Sequence, residues 1–152
     1  MTKLPPIEKI LEAWTAIADG HVVLDADNNS ALVTSSDGAK MYTVTFHGDL
    51  YTSNDNATYW QGYAGYPIIA VLMLQGRLPL NHEIADEFKD VDWESINDKF
   101  KRNYAGAAAE IIKERKLDEI KVAAEMTRVY DDLRKLPFTI KRGSLHPPKS
   151  AK

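Results

Sequence analysis

The chain contains no cysteine. Disulfides, thiolate nucleophiles, cysteine-ligated zinc and iron–sulfur clusters are excluded with it, and a reducing compartment is favoured. Long hydrophobic runs are also missing. The longest, Pro67 to Leu74, falls far short of the roughly 20 residues that a spanning helix needs. The opening Met1-Thr2-Lys3-Leu4-Pro5-Pro6 has no apolar core of a secretory signal, so the expected location is the cytoplasm, away from any membrane. There is no glycine-rich phosphate loop. Gly62 and Gly65 stand too close together and lack the strand context of a dinucleotide site. Neither a Gly-x-Ser-x-Gly elbow nor a His-Glu-x-x-His motif occurs.

Metal signals are equally thin. No two of His21, His47, His82 and His146 have metal-ligand spacing on one helix. Asp25-x-Asp27-x-Asn29 matches the first half of a calcium loop, but Ser30 replaces the required glycine and Ser36 the bidentate glutamate. His47 and Asp49 flank Gly48, with Asp25 and Asp55 not far along the chain. That group suits either acid–base work or ordinary exposed turns. The expectation is no metal and no cofactor.

What is present is one domain's worth of ordinary globular sequence: 152 residues, 44% hydrophobic and 27% charged. Its charge is unevenly spread. Residues 1–92 balance at −8 and residues 93–152 at +5, so the two halves attract each other within one chain or between two copies.

Ile7, Ile10, Leu11, Trp14 and Ile17 recur at helical spacing and predict a helix from Pro5 or Pro6 to Asp19, closed by Gly20. Between His21 and Asn54 the period changes to two. Asn28-Asn29, Asp37-Gly38 and Gly48-Asp49 are turn signals that predict a four-stranded antiparallel meander. Two-residue turns place Leu24 opposite Val33, Val33 opposite Tyr42, and Phe46 opposite Tyr51. One face then collects the apolar side chains, with Val23, Leu32, Met41 and Leu50 as exceptions on the other.

The remainder reads as helical. Asn56 is a candidate cap for a short turn through Gln61. Pro67 opens a helix, apolar all round, that ends near Gln75, and Asn81 and Asp92 cap the next two. The apolar stripe from Trp93 to Leu136 reads as one very long helix, or as two joined near Lys116-Leu117-Asp118. A continuous helix would need a partner chain to cover part of its stripe. The fold class is therefore α+β. Residues 1–136 form a single domain, with 21–54 as meander and 56–136 as a helical part with long helices. Residues 137–152 form a mobile, basic, proline-containing tail.

Tyr51 to Tyr66 is the stretch richest in candidate chemistry, with four of the seven tyrosines beside amides, hydroxyls and Asp55. Aromatic faces with adaptable polar groups suit a small organic ligand, a sugar or a nucleobase. Asn54, Asp55, Tyr59, Trp60 and Tyr63 are the candidate ligand-binding residues. The alternative is a structured loop whose aromatics close the end of the core.

Three functional readings follow. The first is a non-enzymatic binding or interaction module, a homo-oligomer through its long helices. The second is a small-ligand-binding protein or unusual enzyme built on the Asn54–Tyr66 loop. The third is a nucleic-acid-associated protein using the basic C-terminal half. The pI near 5.8 and the acids interleaved from Glu110 to Asp132 weigh against the third.

Overall fold

The computed structural model describes residues 3–149. Helix α1 spans Lys9–Ala18. It starts later than the prolines suggested, because Pro5 to Glu8 form a lead-in turn in which Lys9 N–H donates to the Pro6 carbonyl. Ile10, Leu11 and Trp14 are fully buried, and Gly20 takes the left-handed conformation (φ 70°) that ends the helix.

Strands β1 (Val22–Asp25), β2 (Ser30–Thr34), β3 (Met41–His47) and β4 (Leu50–Ser53) form the antiparallel meander. Val33 faces Tyr42 and Phe46 faces Tyr51, as the turn residues predict. The first hairpin differs. Leu24 lies opposite Ala31 and Val22 opposite Val33, because the connection takes four residues instead of two. Ala26–Asn28 close a 3-10 turn, pinned by Asn28 Nδ2 donating to Asp25 Oδ2 at 2.7 Å and by Asn29 at φ 51°. A slip of two residues preserves the face, so the apolar sorting survives. Ala31, Val33, Val44 and Tyr51 are buried on the inner face.

The sheet has five strands, not four. β5 (Thr139–Lys141) pairs parallel to β4, with Ile140 opposite Tyr51. Much of the segment read as a mobile tail is thus folded onto the domain. Phe138 is buried edge-on against Tyr51, and Ile140 packs against the core.

Helix α2 (Tyr66–Leu74) buries every residue from Pro67 to Met73 and packs between α1 and the sheet. α3 (His82–Asp86) and α4 (Trp93–Lys99) are capped by Asn81 and Asp92, each accepting from a backbone N–H at 3.1 Å.

The stripe beyond Trp93 is broken twice. α4 is followed by α5 (Tyr104–Glu114) and α6 (Glu119–Lys135). The second break falls at the expected place, with Asp118 as the new cap. The first lies at Lys101 and Arg102, both left-handed, and Asn103 caps α5 through the Gly106 N–H. No single long helix exists, so the need for a partner chain to cover one disappears. Val122, Val129 and Leu133 of α6 are buried within the domain. Among the described residues no helix is long and apolar enough to cross a membrane.

Candidate ligand-binding cleft

Between β4 and α2 the chain makes one turn of π-helix, Ala57–Gln61. Asp55 organises it, not Asn56. Its carboxylate accepts from the Ser53 hydroxyl and from the Thr58 N–H. Gly65 closes the loop against this carboxylate, and a Cβ there would stand 2.0 Å from Asp55 Oδ2, so the approach requires glycine.

The five candidate residues part company here. Asn54 is used up structurally: its Oδ1 accepts from Thr43 N–H at 2.7 Å and its Nδ2 donates to the His146 carbonyl at 3.1 Å. Tyr59 is buried, bonds His146 Nδ1 through its hydroxyl, and carries the Arg142 guanidinium over its ring. Asp55, Trp60 and Tyr63 border a cleft of about 310 Å³ closed by α1, α4 and α5. The group around His47 does not assemble. Asp49 is paired with Arg77, Asp25 with Asn28, and Asp55 lies in its own turn.

The cleft's centre comes from residues outside the loop. Lys9 and Glu12 of α1, only 7% and 6% exposed, form an ion pair at 3.2 Å. Asn97 of α4 donates to Glu12, and the Lys9 ammonium lies 4.2 Å from the centre of the Tyr104 ring. Burial drives the Glu12 carboxyl above its usual range, and Lys9 and Asn97 bring it only part of the way back. Burial opposes the Lys9 charge, but Glu12 and the tyrosines outweigh it and hold the ammonium above its usual value.

Tyr42, Tyr63 and Tyr66 face the same space. Burial is the main cause that pushes their hydroxyls up; carboxylates add to it at Tyr42, the Tyr42 ring at Tyr66, and at Tyr63 Lys9 offsets part of it, so all three remain proton donors at neutral pH. The arrangement can donate and accept many hydrogen bonds to a small polar molecule.

Periodicity marks Ile7, Ile10, Leu11, Trp14 and Ile17 as the buried stripe of α1 and leaves Lys9 and Glu12 outside it. Their i,i+3 spacing was the one available signal, and such pairs normally lie on solvated faces.

Fold and cleft define an α+β protein with a polar, tyrosine-rich cavity around a buried ion pair. A family model described as "Uncharacterised conserved protein UCP014422" matches residues 2–139, and the chain belongs to that family. No curated protein and no solved structure matches it.

Proposed function

We propose that the protein is a non-enzymatic binding module whose cleft takes a small polar organic ligand. The observation that carries this reading is the Lys9–Glu12 pair, buried yet facing the cleft. Removing two charges from water costs several kcal/mol per ion, and apolar side chains of similar volume commonly serve stability as well or better, at about 1–4 kcal/mol. A buried pair beside desolvated hydroxyls is therefore better understood as ligand-binding chemistry than as packing. A cytoplasmic location accords with a chain that has no cysteine.

A thermal-shift screen of sugars, nucleobases and related polar metabolites tests the proposal. A true ligand raises the melting temperature of the wild type and not that of the double variant Lys9→Met/Glu12→Leu. Hits that stabilise both equally would sink the reading.

Self-association is a second reading, carried by the outer face of the sheet. Val23, Leu32 and Met41 are 61%, 45% and 54% exposed there, and Val23 pairs with Leu32 across the open edge strand β1. Native mass spectrometry reads it directly: a dimer that becomes a monomer on Leu32→Asp supports it, and a wild-type monomer removes it.

A further inference from the structure

The six arginines fall into three kinds. Arg77, Arg102, Arg128 and Arg134 each pair with a carboxylate. Arg115 donates to the Glu87 and Lys89 carbonyls. Arg142 pairs with no carboxylate among the described residues and is held mainly by aromatic rings. Its guanidinium lies 4.4 Å from the Tyr59 ring centre and 5.4 Å from that of Trp60, with one donor on the Tyr59 carbonyl at 3.0 Å. It remains exposed, and among the described residues no carboxylate reaches it or its neighbour Lys141. Stacking and a single hydrogen bond hold the fork while leaving other N–H groups directed to solvent. That is the pre-organised state in which arginine recognises phosphate best.

Beside it stands the one exposed indole. Trp60 is 62% exposed, whereas Trp14 and Trp93 are 0% and 3%. Tyr59 packs edge-on against Trp60 at 4.6 Å and fixes its plane. Trp60, Gln61, Lys141 and Arg142 line an open hollow of about 300 Å³ that no acidic side chain lines. The ligand cleft on the other side of the indole is bordered by Glu12, Asp55 and Glu94. Trp60 is thus a partition, with charges of both signs on one side, Lys9 and Arg102 among the acids, and only positive groups on the other.

We infer that this hollow binds a nucleotide: the base stacks on Trp60, Gln61 offers an amide to its edge, and the phosphate meets Arg142 and Lys141. An indole face accepts any base, and base–aromatic stacking is a major term in single-strand binding. The chain's overall acidity does not oppose this, because the contact is with a local field. The phosphate is supplied either by a free nucleotide or by a single-stranded nucleic acid. The hollow adjoins the cleft through Trp60 and Gln61, but its charged groups are its own, so either reading can fail alone.

Tryptophan fluorescence is the natural probe, since only Trp60 is open to a ligand. At low salt, uridine 5′-monophosphate or deca-uridylate should quench the red edge of the emission saturably, while uridine and inorganic phosphate should not. In anisotropy with labelled deca-uridylate or in calorimetry with the monophosphate, Trp60→Ala should weaken binding about tenfold and Trp60→Phe should keep most of it. Lys141→Gln should weaken binding modestly and lower the salt slope by about one. Circular-dichroism melts confirm that the variants are folded, and Lys9→Met/Glu12→Leu should bind like wild type.

Equal affinities for monophosphate and decamer identify a free nucleotide, and binding of the decamer alone identifies a strand. No quenching by either, equal binding by Trp60→Ala, or inorganic phosphate acting as strongly as the monophosphate would overturn the inference.

Discussion

Helices α1 and α2 lie against each other, both largely buried, and differ in what they bury. α2 buries seven residues from Pro67 to Met73, all apolar. α1 buries Lys9, Glu12 and Thr15 among its apolar residues. Thr15 is fully accounted for by its neighbours: its hydroxyl donates to the Phe88 carbonyl at 2.6 Å and accepts from Trp93 Nε1 at 2.8 Å. Lys9 and Glu12 instead face a cavity. Burial alone does not distinguish these polar groups; their setting does, since Thr15 is satisfied inside the core, whereas Lys9 and Glu12 are satisfied by each other and by Asn97 at the wall of a cleft.

The sharpest way to break that comparison is to remove one charge. Lys9→Met leaves Glu12 buried and uncompensated and should destabilise the protein by about 3–5 kcal/mol in urea unfolding. The double variant Lys9→Met/Glu12→Leu should recover most or all of that stability. Failure to recover would mean that the pair is chiefly structural.

On the other helix, Leu72→Ala should cost about 3 kcal/mol, because the fully buried side chain leaves a cavity that the surrounding core closes only partly. Ligand binding in the cleft should be retained, since Leu72 does not line it and α2 reaches it only through Tyr66.

The smallest effect is in pH. The native Glu12 carboxyl titrates above its ordinary value, so the folded state holds the proton more tightly than the unfolded chain does. Its contribution to stability is therefore greatest below the ordinary glutamate pKa. It declines as pH rises through the window between that value and the raised one. Urea midpoints across this window should fall in the wild type and flatten in Glu12→Gln, whereas the same series on Leu72→Ala should run parallel to the wild type.

Much of the architecture could be read locally. The turns at Asp37-Gly38 and Gly48-Asp49 set two registers correctly, because residues that tolerate positive φ determine where the chain reverses. Asn81, Asp92 and Asp118 cap the helices they precede, through a contact that spans three residues. The Ala26–Asn29 connection is two residues longer than its Asn-Asn pair implies, since a 3-10 turn and an Asn-Asn hairpin carry the same residue types. The break at Lys101–Arg102 is not legible in those two residues of the sequence, because neither lysine nor arginine signals a left-handed conformation. Asn103 was the visible clue.

Of the candidate site, Asp55, Trp60 and Tyr63 border the cleft, but the sequence could not distinguish them from Asn54 and Tyr59. That division depends on His146 and Arg142, which stand more than 80 residues further along the chain.

The sequence by itself determined the helix–meander–helix order, the inner face of the sheet and most of the caps. Each rests on periodicity or on contacts a few residues apart. Tertiary structure alone decided that Thr139–Lys141 would lie beside β4, and that Lys9 and Glu12 would be covered. Strand pairing is a property of two segments, here nearly ninety residues apart. Burial of a charge is set by whatever packs above it, here Asn97 and Tyr104. No local pattern around Lys9 encodes an α-helical neighbour that arrives from more than eighty residues along the chain.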